Sequence, residues 1–265
     1  MKKVIKLSAL ILALVMAFGV LLAGCGKEKK TFTVGFDASF PPYGYKDDEG
    51  NYVGFDIDLA KEVAKRNDWE IKLQPIDWDA KDMELKSGTI DCIWNGFTIN
   101  GREKEYTWSD AYVDNSQVVV VKKDSGIKTL ADLKDKIVAV QTDSSAENVL
   151  TSEEDNEKML ALAATFKDLQ VVPEYNTAFL NLESGSVDAI AMDIGVAEFQ
   201  IEKRGDAFVI LEEQLATEQY GIGFKLGNTE LRDQVQNTIN EMMDDGTFLK
   251  IAKKWKLQDS VIIAD

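Results

Sequence analysis

Three features of this sequence could together bind a small zwitterion. Arg102 carries a planar guanidinium that can pair with a carboxylate through two parallel hydrogen bonds, whereas a lysine would offer only a point charge. The run Ser144-Ser145-Ala146-Glu147 has the form of a capping box, so it predicts a helix start whose main-chain N–H groups attract an anion. Asp193 is a natural partner for an ammonium group. A carboxylate site and an ammonium site together indicate an α-amino acid.

The composition excludes several classes of protein. The 265 residues contain no histidine, so Ser-His and Cys-His catalytic pairs and histidine-ligated zinc are excluded. Two cysteines, Cys25 and Cys92, cannot build a disulfide framework or a four-thiolate metal site. With 30 basic and 46 acidic residues the net charge is −16, which argues against a general nucleic-acid binder. We therefore expect no cofactor and no metal, and the apolar surroundings of Cys92 predict a packed thiol.

The N-terminal 24 residues have the layout of a secretory signal peptide. Lys2, Lys3 and Lys6 precede an apolar run over residues 7–22. A membrane-spanning anchor is the alternative, but about 16 to 18 apolar residues is at the short end of the range for spanning. The tetrad Leu22-Ala23-Gly24-Cys25 resembles the lipobox of bacterial lipoproteins, whose cysteine receives acyl chains such as palmitate. This resemblance implies a signal peptide over residues 1–24 and a lipidated tether over residues 25–31, which would hold an exported domain at the extracytoplasmic face of the cell membrane.

The mature chain contains an internal repeat. The segments 85–93 and 182–190 share one pattern, a helix end, a glycine and a strand. A weaker second match relates the apolar strands 33–37 and 137–141. Chance similarity between helix–glycine–strand units is the alternative, but two similar α/β lobes explain both matches.

Periodicity predicts the elements of each lobe. The first lobe has strands at 32–37, 70–76 and 90–94, with helices starting at Phe55 and near residue 80. The second has strands at 137–141, 170–172 and 188–193, with helices starting at Ser144 and at 177 and a third ending near 203. Residues 118–121 and 221–224 are candidate crossings between the lobes, and the C-terminal helices are expected to pack on the first lobe. The predicted lobes are therefore 32–118 plus 222–265, and 119–221.

Polar groups follow several of these strands, where ligands bind in open α/β sheets. If the lobes face each other, the following residues line one cleft: Asp37, Phe40, Trp78, Asn95, Gly96, Thr98, Arg102, Gln141, Ser144, Ser145 and Asp193. Other interpretations are open for some of them. Asp37, Asp193 and Ser144 could cap helices, Arg102 could form a surface ion pair with a neighbouring glutamate, and Trp78 could belong to the core.

Several motifs, in order, resemble the polar amino-acid-binding proteins of ABC importers. They are Asp37-x-x-Phe40-Pro41-Pro42-Tyr43, the run from Val53 to Ala60, Gly96-Phe97-Thr98-Ile99, Arg102, Asp110-Ala111-Tyr112 and the segment 182–193. The similarity extends over nearly all of residues 31–257. It implies the type II fold of periplasmic binding proteins, in which two α/β lobes are joined by two hinge strands and close over a ligand. It also implies a monomeric, non-enzymatic receptor that delivers an amino acid to the permease subunits of an ABC transporter.

The resemblance also implies roles for the candidate residues. Arg102 would pair with the α-carboxylate of the ligand, aided by the main chain of Thr98 and the N–H of Ser145. Asp193 would hold the α-ammonium, together with the Thr98 hydroxyl and the Gly96 carbonyl. The ligand side chain would contact polar and aromatic residues: Asp37, Phe40, Trp78, Asn95 and Gln141.

Two positions depart from the family pattern. The loop from Thr98 to Arg102 is one residue shorter than usual, and Asp143 replaces a common glycine. Glutamine, arginine, lysine and cystine all stay open as ligands, because Asp37 favours a donor or cation whereas Asn95 and Gln141 favour an uncharged polar group.

Two other functions are compatible with such a scaffold. A dehydratase resembling the cyclohexadienyl dehydratases would need a carboxylate poised as acid or base, for which Asp37 is the candidate. The sensor domain of a receptor kinase fits the sequence poorly, since no signalling module is present in it.

Overall fold

The computed structural model describes residues 29–153 and 156–263. The predicted signal peptide and the predicted lipidation site at Cys25 lie outside these ranges. No helix among the described residues is long and apolar enough to cross a membrane.

Eight α-helices lie within the described ranges. They are α1 (Phe55–Arg66), α2 (Lys81–Ser87), α3 (Ser145–Thr151), α4 (Glu157–Ala163), α5 (Tyr175–Ser184), α6 (Ile194–Arg204), α7 (Thr229–Asp244) and α8 (Thr247–Lys254). Short 3-10 helices span Trp78–Ala80 and Leu130–Leu133. In α1, acidic residues fill the first turn and basic residues the last, as the helix dipole favours. The apolar face of α1 is buried, and both C-terminal helices contact α1, as the sequence predicts.

One large sheet contains most of the strands. In chain order the strands are β1 (Thr31–Phe36), β2 (Ser39–Phe40), β3 (Gly44–Lys46), β4 (Tyr52–Val53), β5 (Glu70–Pro75), β6 (Cys92–Thr98), β7 (Thr107–Trp108), β8 (Val113–Lys122), β9 (Ile137–Gln141), β10 (Asp168–Val172), β11 (Ala189–Asp193), β12 (Phe208–Ile210) and β13 (Ala216–Phe224). The main path of the sheet is β10-β9-β11-β8-β13-β6-β1-β5, and β2, β3 and β4 form a small separate sheet.

Two sets of parallel strands lie at opposite ends of this path. β1 pairs in parallel with β5 and β6, and β9 pairs in parallel with β10 and β11. Between the sets, β8 and β13 pair with each other in antiparallel fashion. The predicted crossings at 118–121 and 221–224 fall within these two strands. The exact division into lobes at these points stays a prediction.

The repeat of the sequence is also a repeat of structure. Gly88 ends α2 with φ 80° and ψ 18°, and Gly185 ends α5 with φ 81° and ψ 17°. Glycine adopts this left-handed conformation without the strain that a Cβ brings, which explains why the helix ends there in both repeats.

The same correspondence extends to the hydrogen bonds that follow. The Asp91 carboxylate accepts the N–H of Thr33 at 2.7 Å, and the Asp188 carboxylate accepts the N–H of Ile137 at 2.8 Å. Each aspartate therefore ties the start of one strand to the first strand of its own repeat.

The predicted strand 90–94 is wrong in its bounds. The strand β6 runs from Cys92 to Thr98 and is buried along its whole length, so residues 95–98 are not in a loop. The reason is non-local, because β13 pairs with this end of β6 through Tyr220 opposite Thr98 and Gly221 opposite Phe97. The polar residues of this segment are consequently held on a strand. Cys92 is a free, buried thiol, as predicted.

Candidate functional site

A small cavity lies where the ends of the two parallel sets meet. Its lining contains all the predicted site residues except Asp37, together with one residue that was not predicted, Phe97: Phe40, Trp78, Asn95, Gly96, Phe97, Thr98, Arg102, Gln141, Ser144, Ser145 and Asp193. The fold therefore brings together residues from both repeats. Their role as ligand contacts stays a prediction.

Arg102 follows β6 and lies on one wall of the cavity. Its guanidinium is 3.5 Å from the main-chain oxygen of Thr98, 3.3 Å from that of Asp143, and 5.4 Å from the ring centre of Phe97. Among the described residues Arg102 forms no ion pair, so the alternative of a surface pair with a neighbouring glutamate is wrong for this part of the chain. The guanidinium of Arg102 therefore lies beside carbonyl oxygens and an aromatic ring, with no carboxylate paired to it among the described residues, and it is suited to an incoming carboxylate.

The start of α3 lies near Arg102. Ser144 is the N-cap, and its hydroxyl accepts the N–H of Glu147 at 3.1 Å, as predicted. The Glu147 carboxylate accepts the N–H of Asp143 at 2.5 Å, so the second half of the capping box closes one residue earlier than predicted. The N–H of Ser145, in the first turn, has no partner within the helix.

Asp193, at the end of β11, is buried in the lining of the same cavity. It occupies the N-cap position of α6, yet its side chain makes no capping bond, so the capping interpretation is wrong. Its carboxylate accepts from the Tyr220 hydroxyl at 2.6 Å, from Gln117 at 2.8 Å and from Asn115 at 2.9 Å. Burial, and to a smaller extent the nearby carboxylate of Glu218, raise the pKa of Asp193 to about 7, although these three hydrogen bonds oppose the shift.

Glu218, on β13, is a site residue that the sequence reasoning missed. Its side chain is 5% exposed and accepts hydrogen bonds from the hydroxyls of Thr98 and Ser145, both of which line the cavity. The available signal is the alternation along β13, where Glu218 shares a face with Tyr220 and Ile222. A charged residue at a buried position of a strand is uncommon unless it is paired.

Asp37 does not line the cavity, contrary to prediction. Its carboxylate accepts from the Gln141 amide at 2.7 Å and from the N–H of Ser39 at 2.7 Å, and these two bonds turn it away from the cavity. It lines a neighbouring acidic groove with Asp77 and Glu174. Burial raises the pKa of Asp37, although the Gln141 amide opposes this shift. Asp37 caps no helix either, since β2 follows it.

Aromatic and amide groups form the remainder of the lining. Trp78 lines both the cavity and the acidic groove, and it packs edge-on against Phe97 at 5.4 Å between ring centres. Asn95 is 1% exposed, and neither atom of its amide has a hydrogen-bond partner. A buried amide without partners is costly, so a bound molecule that supplies a donor and an acceptor would remove a real penalty.

Asp143, which replaces a common glycine, has a partner of its own. Its φ of 53° is in the left-handed region, which aspartate tolerates better than most residues. Its carboxylate pairs with Lys81, which is 1% exposed and lies 5.1 Å from the ring centre of Trp78. Burial lowers the pKa of Lys81, and the ion pair with Asp143 opposes that shift. The extra negative charge beside the carboxylate site is therefore compensated locally.

No group of acidic or cysteine side chains within residues 29–153 and 156–263 could hold a metal ion.

Residues 32–258 match the sequence profile of the bacterial extracellular solute-binding proteins, family 3. The chain belongs to this family. Its fold is the type II fold of periplasmic amino-acid-binding proteins.

Characterised relatives of this family 3 protein bind amino acids. It is 31% identical to the L-cystine-binding protein TcyJ of Escherichia coli strain K12, over 86% of this chain and 84% of the relative. It is 33% identical to the arginine-binding extracellular protein ArtP of Bacillus subtilis strain 168, over 88% and 89% of the two chains.

Similar solved structures are also those of amino-acid-binding proteins. An ancestral arginine-binding protein bound to glutamine shares 37% identity with a TM-score of 0.77, over 86% of this chain and 99% of the other. The ancestral amino acid-binding protein AncCDT-1, a precursor of cyclohexadienyl dehydratase, shares 32% identity with a TM-score of 0.75, over 85% and 95%.

Proposed function

We propose that this family 3 protein is the substrate-binding component of an ABC importer for a polar L-amino acid. The observation that carries the proposal is that Arg102 and Asp193, of opposite charge and from different repeats, line the same small cavity. Arg102, with the N–H of Ser145, takes the α-carboxylate. Asp193, with the hydroxyl of Thr98 and the carbonyl of Gly96, takes the α-ammonium. The relatives and solved structures named above, which bind cystine, arginine or glutamine, support this assignment.

The lining favours an uncharged polar side chain on the ligand. Arg102 and Asp193 already match the two charges of the backbone of an amino acid. Away from them the lining offers the amides of Asn95 and Gln141 and the rings of Phe40 and Trp78. The Asn95 amide is buried without partners, so a ligand amide that both donates and accepts, as in glutamine, would satisfy it. A cation would instead need Asp37, which is already bonded to Gln141.

Binding and closure are coupled in this proposal. Residues of the two repeats meet directly through the Asp37–Gln141 hydrogen bond and the Lys81–Asp143 ion pair, and this proposal assigns that arrangement to the closed state. Only in this arrangement can one ligand contact Arg102 and Asp193 together. A ligand shifts such an equilibrium only through contacts that differ between the two states. The closed form is the state that the permease receives.

The similarity to AncCDT-1, a precursor of cyclohexadienyl dehydratase, makes an enzyme the second candidate. A dehydratase needs an acid or base in the cavity. Asp37, the residue that the sequence suggested for this role, lies outside the lining, and Asp193, which lies within it, is assigned to the α-ammonium. Incubation with prephenate or arogenate, followed by chromatography, tests this function directly. Turnover that is lost in Asp37→Asn would establish the enzyme.

Export and membrane anchoring are part of the proposal. The family consists of extracellular solute-binding proteins, which supports export, and the lipobox-like tetrad ending at Cys25 provides the anchor. Expression in a bacterium with the native leader, followed by labelling with an alkyne fatty acid, tests the anchor. Label should be present in the membrane fraction of the wild type and absent from Cys25→Ser, whereas Cys92→Ser, the matched control, should keep it.

A thermal-shift screen of the chain without its first 24 residues tests the binding function. The panel contains the twenty common L-amino acids, L-ornithine and L-cystine. A ligand at a hundred times its dissociation constant stabilises the folded state by about 2.7 kcal/mol, which is a readily measured shift. L-glutamine is expected to give the largest shift. A panel in which no amino acid raises the melting temperature would overturn the proposed function.

A further inference from the structure

The carboxylate of Glu218 lies beside the cavity, and both of its oxygens accept hydrogen bonds from residues that line the cavity. Its Oε1 atom accepts from the Thr98 hydroxyl at 2.8 Å, from Asn115 Nδ2 at 2.7 Å and from Gln117 Nε2 at 2.8 Å. Its Oε2 atom accepts from the hydroxyl of Ser145. All four partners are therefore donors, which is the environment that an acceptor-only carboxylate requires.

The two amides bind a second carboxylate in the same way. Asn115 Nδ2 and Gln117 Nε2 each donate also to Asp193 Oδ1, at 2.9 and 2.8 Å. Each NH₂ group has two hydrogens, so each amide gives one to each acid. The amide oxygens Asn115 Oδ1 and Gln117 Oε1 are left buried without a hydrogen-bond partner. The two amides therefore hold the carboxylates of Asp193 and Glu218 side by side, while their own buried oxygens stay without a partner.

The bonds to Glu218 fix what the two cavity hydroxyls can do. A hydroxyl has one hydrogen to donate and two lone pairs that accept. Once Thr98 and Ser145 donate to Glu218, their oxygens can offer only lone pairs to a molecule in the cavity. This end of the cavity then contains acceptors alone: both hydroxyl oxygens and the Asp193 carboxylate.

We propose that Glu218 is the residue that makes this subsite specific for a primary ammonium group, by holding the hydroxyls of Thr98 and Ser145 as acceptors. The inference rests on the proposed function and names the chemical class that the subsite takes. A primary ammonium has three N–H donors and no lone pair, so it can satisfy three acceptors. The hydroxyl of a 2-hydroxy acid offers one donor, and its lone pairs would face the lone pairs of the subsite. An N-acyl amino acid offers only one N–H.

The test compares an amino acid with its 2-hydroxy analogue by calorimetry. The first probe pair is L-glutamine and L-2-hydroxyglutaramate, and any other amino acid that shifts the melting temperature in the panel is paired with its own 2-hydroxy acid. The wild type is expected to prefer the amino acid by about a hundredfold or more, since each unmatched polar contact reduces affinity by about tenfold.

In Glu218→Gln the amide can donate to the two hydroxyls and reverse their direction. The preference for the amino acid is expected to fall by tenfold or more, mainly through weaker amino-acid binding. Glu212→Gln, which changes an exposed glutamate in the loop before β13, is the matched control and should leave the preference at the wild-type value. A purely structural role for Glu218 would lower the melting temperature and weaken both probes equally, so an unchanged preference in Glu218→Gln overturns the inference.

A second variant and a double variant keep the test decisive. Glu218→Asp retains the charge but is too short to reach both hydroxyls, so its preference should also fall, and it replaces Glu218→Gln if the latter does not fold. If Glu218 acts through the hydroxyls of Thr98 and Ser145, the effect of Glu218→Gln should be smaller in the Thr98→Val background than in the wild type, because only the Ser145 hydroxyl is left for it to direct. Additive losses overturn the inference while leaving the proposed function intact. A wild type that binds no amino acid overturns both.

Discussion

Gln141 donates a hydrogen bond of 2.7 Å to the carboxylate of Asp37, although 104 residues separate them in the chain. Gln141 ends β9 and Asp37 follows β1, and these two strands are equivalent in the internal repeat. Corresponding positions of the two repeats therefore meet beside the cavity, which Gln141 lines. The bond occupies Asp37, and this carboxylate is not among the groups that line the cavity.

Asp37→Asn should reduce the affinity for L-glutamine by less than about fivefold, because asparagine can still accept from Gln141 through its amide oxygen. Asn95→Leu, of similar size, should reduce it by more than tenfold, since it removes the unpartnered amide that a polar side chain would satisfy. Titration calorimetry measures both. A loss of a hundredfold in Asp37→Asn, with tighter wild-type binding of L-arginine than of L-glutamine, would show that the ligand is a cation.

Arg102→Ala and Asp193→Asn should each reduce amino-acid affinity by well over tenfold. The first removes the guanidinium for the α-carboxylate, and the second removes the charge opposite the α-ammonium. Arg102→Lys should recover only part of the loss, because an ammonium cannot form the bidentate pair. Arg204→Ala, whose arginine pairs with Glu183 on another helix, is the matched control and should bind normally. Near-normal affinity in Arg102→Ala would remove the basis of the proposed site.

Local patterns were sufficient to predict much of this fold. The glycine at each repeat end predicted where α2 and α5 stop, and apolar strands followed by polar residues predicted the cavity lining. Both signals arise within a few residues of chain.

Contacts between distant segments of the chain could not be predicted from such local patterns. The strand β6 extends through Thr98 because β13 lies beside it, and nothing within residues 90–98 encodes that neighbour. Glu218 was missed because the predicted crossing began at Gly221, after the polar part of β13. The orientation of Asp37 likewise depends on Gln141, from the other repeat.

Asp143→Asn should accelerate ligand dissociation by about three to tenfold. The change removes the ion pair with buried Lys81, which joins the two repeats beside the cavity, while asparagine still tolerates the left-handed backbone of this position. Stopped-flow displacement of bound amino acid gives the dissociation rate. Asp168→Asn, at an exposed strand start, should leave that rate unchanged. An unchanged rate in Asp143→Asn as well would mean that the ion pair does not hold the closed form.

The burial of Asp193 predicts that amino-acid affinity depends on pH. Its raised pKa of about 7 means that, without ligand, Asp193 carries a proton below neutral pH. Glu218 and the hydroxyl of Tyr220 face the same carboxylate, and burial also raises the pKa of Tyr220. An α-ammonium requires the ionised form, so ligand binding must release that proton. Affinity should therefore rise with pH and level off above pH 7, by about twentyfold between pH 5.5 and 7.5 if the bound form stays ionised.

In the protein without ligand, the contribution of Asp193 to folding stability should fall as the pH rises, whereas the amino-acid affinity rises. A carboxyl group whose pKa is raised by folding contributes stability below its unfolded pKa, and this contribution is lost as the pH rises through the folded value of about 7.

Calorimetry at pH 6 in two buffers of different ionisation enthalpy should detect the release of about one proton per ligand bound. Asp193→Asn should abolish both the proton release and the pH dependence of affinity. Proton release that persists in Asp193→Asn would assign the titration to another group, with the buried Asp56 as the next candidate because its pKa is also raised to about 7.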